Sequence, residues 1–230
     1  MGVAGNPRVE FEPKRDLVLS YTTPIVYVKV HDSEALDGEL KRLILTEEKA
    51  KPGVTKSNIR GWHSDTDLAQ WDKPAVKTLF GLIDPVVRRL SGFLVGREPW
   101  GGGMRYTAWA NVNRAGSYNK MHNHPGFHWS GVYYVDVGER DAKETDSGKI
   151  EFQDPRGFVS MLPIPGKPFG QTTSIRPRSG ALLIFPSFIY HAVTPYTGAG
   201  ERISIAFNVL LEGESGWKKD AEGGRTPSAT

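Results

Sequence analysis

From Gly101 onward the chain leaves the 3.6-residue period of helices and alternates in period two, in short runs cut by Gly, Pro and Ser. MRYTAWANVN (Met104 to Asn113) alternates cleanly, and WSGVYYVDV (Trp129 to Val137) is rich in aromatic and β-branched residues. KIEFQD, TTSIRP, GALLIFP and RISIAFNVLL follow at short intervals. This rhythm predicts an antiparallel β sandwich or barrel. Before Gly101 helical signals dominate. PIVYVKV (Pro24 to Val30) reads as one strand, and then Asp32 or Ser33 can cap a helix carrying Leu36, Leu40, Leu43 and Ile44 on one face. A second helix spans Asp72 to Leu94, capped by Asp72, with Pro74 in its first turn and Pro85 as a kink. Its apolar face is Val76, Phe80, Ile83, Val87, Leu90 and Leu94.

The fold class is therefore mainly β with N-terminal helices. A single domain is expected over 1–230: a helical layer over 1–100 buttresses a β core over 101–211, and 212–230 is a polar, Gly-rich, flexible tail. The absence of cysteine excludes disulfides and thiolate metal ligands. A net charge of +3 with no Lys/Arg run gives no specific nucleic-acid signal. No apolar stretch is long enough for a membrane helix, and the polar N-terminus lacks a signal-peptide core, so a cytoplasmic location is expected. Oligomeric state is open, a homodimer included.

Chemistry concentrates in NKMHNHPGFHWSGVYYVD (Asn119 to Asp136), which holds His122, His124 and His128, three of the six histidines. On a strand, positions i and i+2 share a face, so His122 and His124 can converge on one point, and imidazole is a common transition-metal ligand. Alone, the pair also fits a polar loop. Downstream, SGALLIFPSFIYHAVTP delivers His191 after an apolar strand. In RISIAFNV, Ile203, Ile205, Phe207 and Val209 form one face and Arg202, Ser204, Ala206 and Asn208 the other. An inward guanidinium needs an anion, and Arg binds carboxylates in a bidentate fork. The bland alternative pairs Arg202 with Glu201 or Glu212. A literal His-x-Asp at His63 to Asp65 lies among capping and turn residues and reads as a decoy, although its loop can reach the mouth of a site. His31 reads as a surface residue.

His-x-His, SGVYYV, a G-x-L-x-x-F-P strand with His191 beyond it, and R-x-S together resemble the Fe(II)/2-oxoglutarate-dependent dioxygenase superfamily, closest to a small bacterial and phage branch of it. The resemblance covers roughly Tyr106 to Leu211. It implies a double-stranded β-helix (a jelly-roll, cupin-like core) and an enzyme using Fe(II), 2-oxoglutarate and O2. By that resemblance His122 and His124 match the His-x-Asp/Glu pair and His191 the distal histidine. Arg202, assisted by Ser204, would hold the distal carboxylate of 2-oxoglutarate. Tyr134 resembles the tyrosine that hydrogen-bonds the same carboxylate. Asn111 and Asn113 resemble an Asn-x-Tyr pair lining the co-substrate site in the demethylase branch.

The implied reaction is hydroxylation of an unidentified small-molecule or peptide substrate with release of succinate and CO2. The segments Pro155 to Gln171 and Asn113 to Met121 would form its rim, where Arg156 and Lys167 would suit an anionic substrate. This chain departs from the pattern at His124, where a carboxylate is expected. His128, Glu151 or Asp136 stay open as the third ligand. A cupin-type three-His oxygenase without 2-oxoglutarate, or a non-catalytic jelly-roll binding module, are the competing readings.

Overall fold

The fold, taken from a computed structural model, is described for residues 22–139, 144–156 and 172–213. Its strands are β1 (Val26–Lys29), β2 (Asn58–Ile59), β3 (Trp62–His63), β4 (Met104–Asn113), β5 (Tyr118–His122) and β6 (Trp129–Asp136). They continue with β7 (Ile150–Gln153), β8 (Thr172–Ile175), β9 (Ala181–Pro186), β10 (His191–Val193) and β11 (Arg202–Leu211). Two helices, α1 (Glu34–Ala50) and α2 (Pro74–Val95), precede β4. The strands form two antiparallel sheets, ordered β1-β9-β6-β11-β4-β3 and β2-β5-β10-β7-β8.

The alternation in β11 decides what lies on each side of the larger sheet. Ile203, Ile205, Phe207 and Val209 pack with Leu40 and Ile44 of α1 and with Val76, Leu79, Ile83 and Val87 of α2. The opposite face carries Tyr134, Leu183 and Phe185, which pack against Ile150 and Phe152 of the smaller sheet. That second face also carries Arg202, Ser204 and Asn208, all buried. β9 is buried along its whole length because it is covered on both faces, which explains its unbroken apolar run. Gly131 of β6 lies opposite Phe207 in the ladder, and a Cβ there would overlap the buried Phe207 ring. Gly131→Ala is expected to destabilise the fold by about 1–3 kcal/mol, as overpacking does. Urea unfolding measures this, and an unchanged midpoint would mean that the ring moves aside freely.

Several local expectations are corrected. The residue at the N-cap of α2 is Lys73, and Asp72 instead pairs with Lys77 at 2.5 Å in solvent. Leu94 is exposed together with Phe93 and Val95, because the last turn of α2 extends past the sheet that its earlier turns cover. Pro85 lies inside the helix, as expected, and does not end it. The carbonyl that Pro85 cannot satisfy belongs to Gly81, an exposed residue open to water. Asn113 to Met121 is not a plain loop, since β5 begins at Tyr118 and pairs with both β2 and β10. His191 sits on β10 rather than in a loop, and His63 on β3 rather than in a turn. Most of Pro155 to Gln171, Lys167 included, and the tail from Glu214 lie outside the described residues.

Candidate active site

His122 closes β5 and His191 opens β10, and the ladder makes them direct cross-strand partners with ring centroids 4.3 Å apart. His124 lies beyond the end of β5, where its backbone N–H donates to the Ser187 carbonyl at 3.0 Å. That bond carries its ring to 5.0 Å from His122 and 5.2 Å from His191. One ring nitrogen from each of the three lies within 4.8 Å of the others, which is close enough to share one ion. Two tautomers are dictated by their partners. His122 Nδ1 sits 2.7 Å from the Lys120 carbonyl and His191 Nδ1 3.0 Å from the Ile189 carbonyl. A carbonyl can only accept, so both Nδ1 atoms carry the proton and both Nε2 atoms present a lone pair, that of His122 at 3.4 Å from the Ser57 hydroxyl, a long contact that a metal can displace.

The histidines are held neutral. Burial, with repulsion from His122, pushes His191 down to about 3. Burial pushes His124 down to about 4, with smaller contributions from His122 and His63. Burial also lowers His122. No carboxylate joins them among the described residues. His128 is exposed, and its Nδ1 accepts from the Leu211 N–H at 3.0 Å. Glu151 faces away from Ile150 and Phe152 and accepts from the Ser174 hydroxyl at 3.1 Å. Asp136 pairs with Lys41 at 2.7 Å. His63 is likewise no member of the cluster.

A second constellation adjoins the first. Strand register places Arg202 opposite Asn113, Ser204 opposite Asn111, and Ser204 opposite Tyr134 on its other side. Arg202 is 3% exposed, and its guanidinium lies 5.4 Å from the centroid of the Tyr134 ring. Burial pushes its pKa below the usual arginine value. No acidic side chain pairs with it among the described residues: Glu201 reaches Arg114 and Glu212 reaches Arg105, each at 3.5 Å. Gly148 allows the guanidinium its place, since a Cβ there would stand 3.2 Å from Arg202 Nε. Arg202 Nε, Tyr134 OH, Asn111 Oδ1 and Asn113 Nδ2 are buried without a hydrogen-bond partner. Three of these residues, Arg202, Tyr134 and Asn111, face one cavity, as expected of a site built for a polar guest.

Both groups open on one cavity of about 490 Å³, within the usual range for a small-molecule site. Arg202, Ser204, Tyr134 and Asn111 line it, whereas Asn113, the register partner of Arg202 on the neighbouring strand, does not. Further residues complete the lining, among them His63, whose loop is expected to reach the mouth of a site, and Asn208, on the face expected for Arg202. His63 stacks on Trp109 with centroids 5.3 Å apart and planes at 10°, and Trp109 in turn lies 5.6 Å from His124. His63 Nδ1 is held by the Ser64 carbonyl at 2.6 Å. Ser130 donates to Asn208 Oδ1 at 2.7 Å in the same wall. Ser130 and Asn208 share the inward parity of Tyr134 and Arg202, so period two alone could have found them. His63 carries no such signal, because a two-residue strand has no period.

Residues 107–208 match a protein family described as "Putative 2OG-Fe(II) oxygenase". No curated protein matches the chain. Among solved structures, a Pseudomonas putida prolyl-4-hydroxylase is similar at TM-score 0.58 and 16% identity, over 84% of this chain and 95% of that one. A Trichoplax adhaerens prolyl hydroxylase, in complex with a hypoxia inducible factor peptide fragment, gives 0.55 and 15%, over 81% and 83%. HygX from Streptomyces hygroscopicus, with nickel and 2-oxoglutarate bound, gives 0.53 and 13%, over 82% and 83%. At such identities the likeness is one of fold, a double-stranded β-helix. The family match over 107–208 covers most of the same β core, so sequence and fold comparisons agree on which part of the chain is similar to Fe(II)/2-oxoglutarate-dependent oxygenases.

Proposed function

We propose that the protein is a non-haem Fe(II)- and 2-oxoglutarate-dependent dioxygenase that hydroxylates a small-molecule or peptide substrate. The observation that carries this reading is one cavity holding three convergent neutral histidines and a buried arginine without a counter-ion. The donor set fits Fe(II), for which imidazole is a suitable ligand. The orphaned Arg202 Nε and Tyr134 OH fit a carboxylate guest. His122, His124 and His191 would hold the metal, and Arg202, Ser204 and Tyr134 the distal carboxylate of 2-oxoglutarate. When bound, iron and 2-oxoglutarate supply an O2-dependent oxidation that releases succinate and CO2.

The chain's own residues contribute binding, orientation and exclusion of water. The Lys120 and Ile189 carbonyls fix the rings of His122 and His191. The Arg202 fork can set the orientation of the co-substrate, while Phe185, Ile150 and Val132 keep that part of the cavity apolar. No helix among the described residues is long and apolar enough to cross a membrane. A cupin-type oxygenase using three histidines alone would leave Arg202 and Tyr134 without a guest.

Anaerobic titration of the Fe(II) protein with 2-oxoglutarate tests the reading. A visible metal-to-ligand charge-transfer band should grow in and saturate at one equivalent, and a His191→Ala variant should fail to develop it. If iron binds at the histidines and no band forms, 2-oxoglutarate is not the co-substrate.

A further inference from the structure

We infer that His124 makes metal retention in this cavity conditional on a bound dianion, so that metal and dicarboxylate load as a coupled pair. This rests on the assignment of the three histidines as metal ligands and of Arg202 as the carboxylate partner. In a two-His-one-carboxylate site the ligand set brings one negative charge to the metal. Here all three donors are neutral imidazoles. The rest of the lining does not make up the difference: among the described residues its other ionisable side chains include Lys56 and Arg202, and no Asp or Glu.

Carboxylates near the site in sequence are engaged elsewhere, Glu201 by Arg114, Glu151 by Ser174, Asp136 by Lys41 and Asp154 by Arg156. A divalent ion therefore enters a cavity that already holds a buried, unpaired guanidinium. Charges separated by protein rather than water repel strongly. With Lys56 exposed to solvent, a dianion offsets two of the three positive charges that the metal and Arg202 bring, and what it does for the metal the metal does for it, by thermodynamic reciprocity. A carboxylate at position 124 would weaken this dependence by supplying a permanent negative charge.

Chelation by a 2-oxo acid would couple the two ligands in any such site, so the probe must lack the keto oxygen. Glutarate keeps both carboxylates and loses that oxygen. The test is calorimetric titration of the full chain with Co(II), with and without saturating glutarate. Glutarate should tighten Co(II) binding tenfold or more in the unsubstituted protein and threefold or less in His124→Asp. His124→Asp should also bind Co(II) more tightly when no anion is present, and His124→Glu repeats the comparison should the first variant fold poorly. Equal Co(II) affinity with and without glutarate would overturn the inference, as would an equally large glutarate effect in the carboxylate variants. Absence of Co(II) binding under either condition would overturn the ligand assignment itself, and this inference with it.

Discussion

An Arg202→Met variant should lose 2-oxoglutarate affinity by roughly 30-fold to several-thousand-fold while its metal-free form becomes more stable. Arg202 is 3% exposed, and no acid among the described residues neutralises it. Truncating one partner of a buried, hydrogen-bonded charge pair costs about 2–5 kcal/mol of binding, and each 1.4 kcal/mol is a factor of ten. The free protein faces the opposite balance. An unpaired buried cation is expensive to desolvate, and exchanging buried ionic groups for apolar ones of similar volume is often neutral or stabilising by about 1–4 kcal/mol. Methionine preserves the length of the stem against Gly148 and Tyr134, so packing is largely kept. Calorimetry with 2-oxoglutarate reads the first effect and thermal unfolding of the metal-free protein the second. The two signs together separate a ligand-binding arginine from a structural one, whose loss would lower stability. Wild-type affinity for 2-oxoglutarate in this variant would remove Arg202 from the co-substrate site.

The parts of this architecture that the sequence displays are those in which burial imposes a period. β11 is the clearest case: its odd positions meet the helices and its even positions the cavity, and strict alternation separates Ile203 from Arg202 without ambiguity. β4 and β6 are legible for the same reason, and so are the apolar stripes of α1 and α2. β5 is not. YNKMH has no apolar alternation because one face carries His122 and the other faces solvent, with Met121 46% exposed. A strand whose inner face is functional loses the hydrophobic signature by which strands are recognised.

The candidate site shows the same division. His122, His191, Arg202 and Ser204 could be brought together on paper because strand parity fixes which way each points. The position of His124 could not, since it depends on the long-range bond from its N–H to the Ser187 carbonyl. His128 and His124 differ little in sequence context, yet His128 turns outward to accept from Leu211. His63 is the residue most thoroughly hidden. Its neighbours read as turn formers, and only its pairing with Asn111 across β3 and β4 carries it to Trp109. Cross-strand pairing at a separation of nearly fifty residues has no local cause to be read.

Acid should begin to destabilise the metal-free protein near pH 6.5, above the range in which its carboxylates titrate. His191 is pushed down to about 3 and His124 to about 4, in both cases chiefly by burial. Free histidine titrates near 6.5, so below that pH the unfolded chain takes up protons that the folded chain refuses. The sign follows. The stability is fully present above about pH 6.5 and is lost as pH falls toward 4. Each histidine contributes about 1.4 kcal/mol per pH unit across that window, hence about 3 kcal/mol per unit for the pair. Two units of acidification then remove an amount comparable to the whole stability of an ordinary domain, about 5–15 kcal/mol. His122 and His63, lowered in the same direction by burial, add to the slope.

Asp37, raised by burial, acts with the opposite sign but as a single group. The lowered carboxylates Asp72, Asp146 and Asp154 titrate below 3.8 and leave the window from pH 6.5 to 5 to the histidines. Urea unfolding at pH 7, 6 and 5 should show the loss, and a His124→Gln/His191→Gln double variant should lose most of the slope. An unchanged midpoint between pH 7 and 5 in the metal-free protein would mean that these imidazoles are hydrated rather than buried. A bound metal must compete with the same protons, because only neutral imidazoles ligate it. Its contribution to stability should therefore fall over the same pH range, so the burial that keeps the three histidines ready for a metal is also what makes the fold acid-labile.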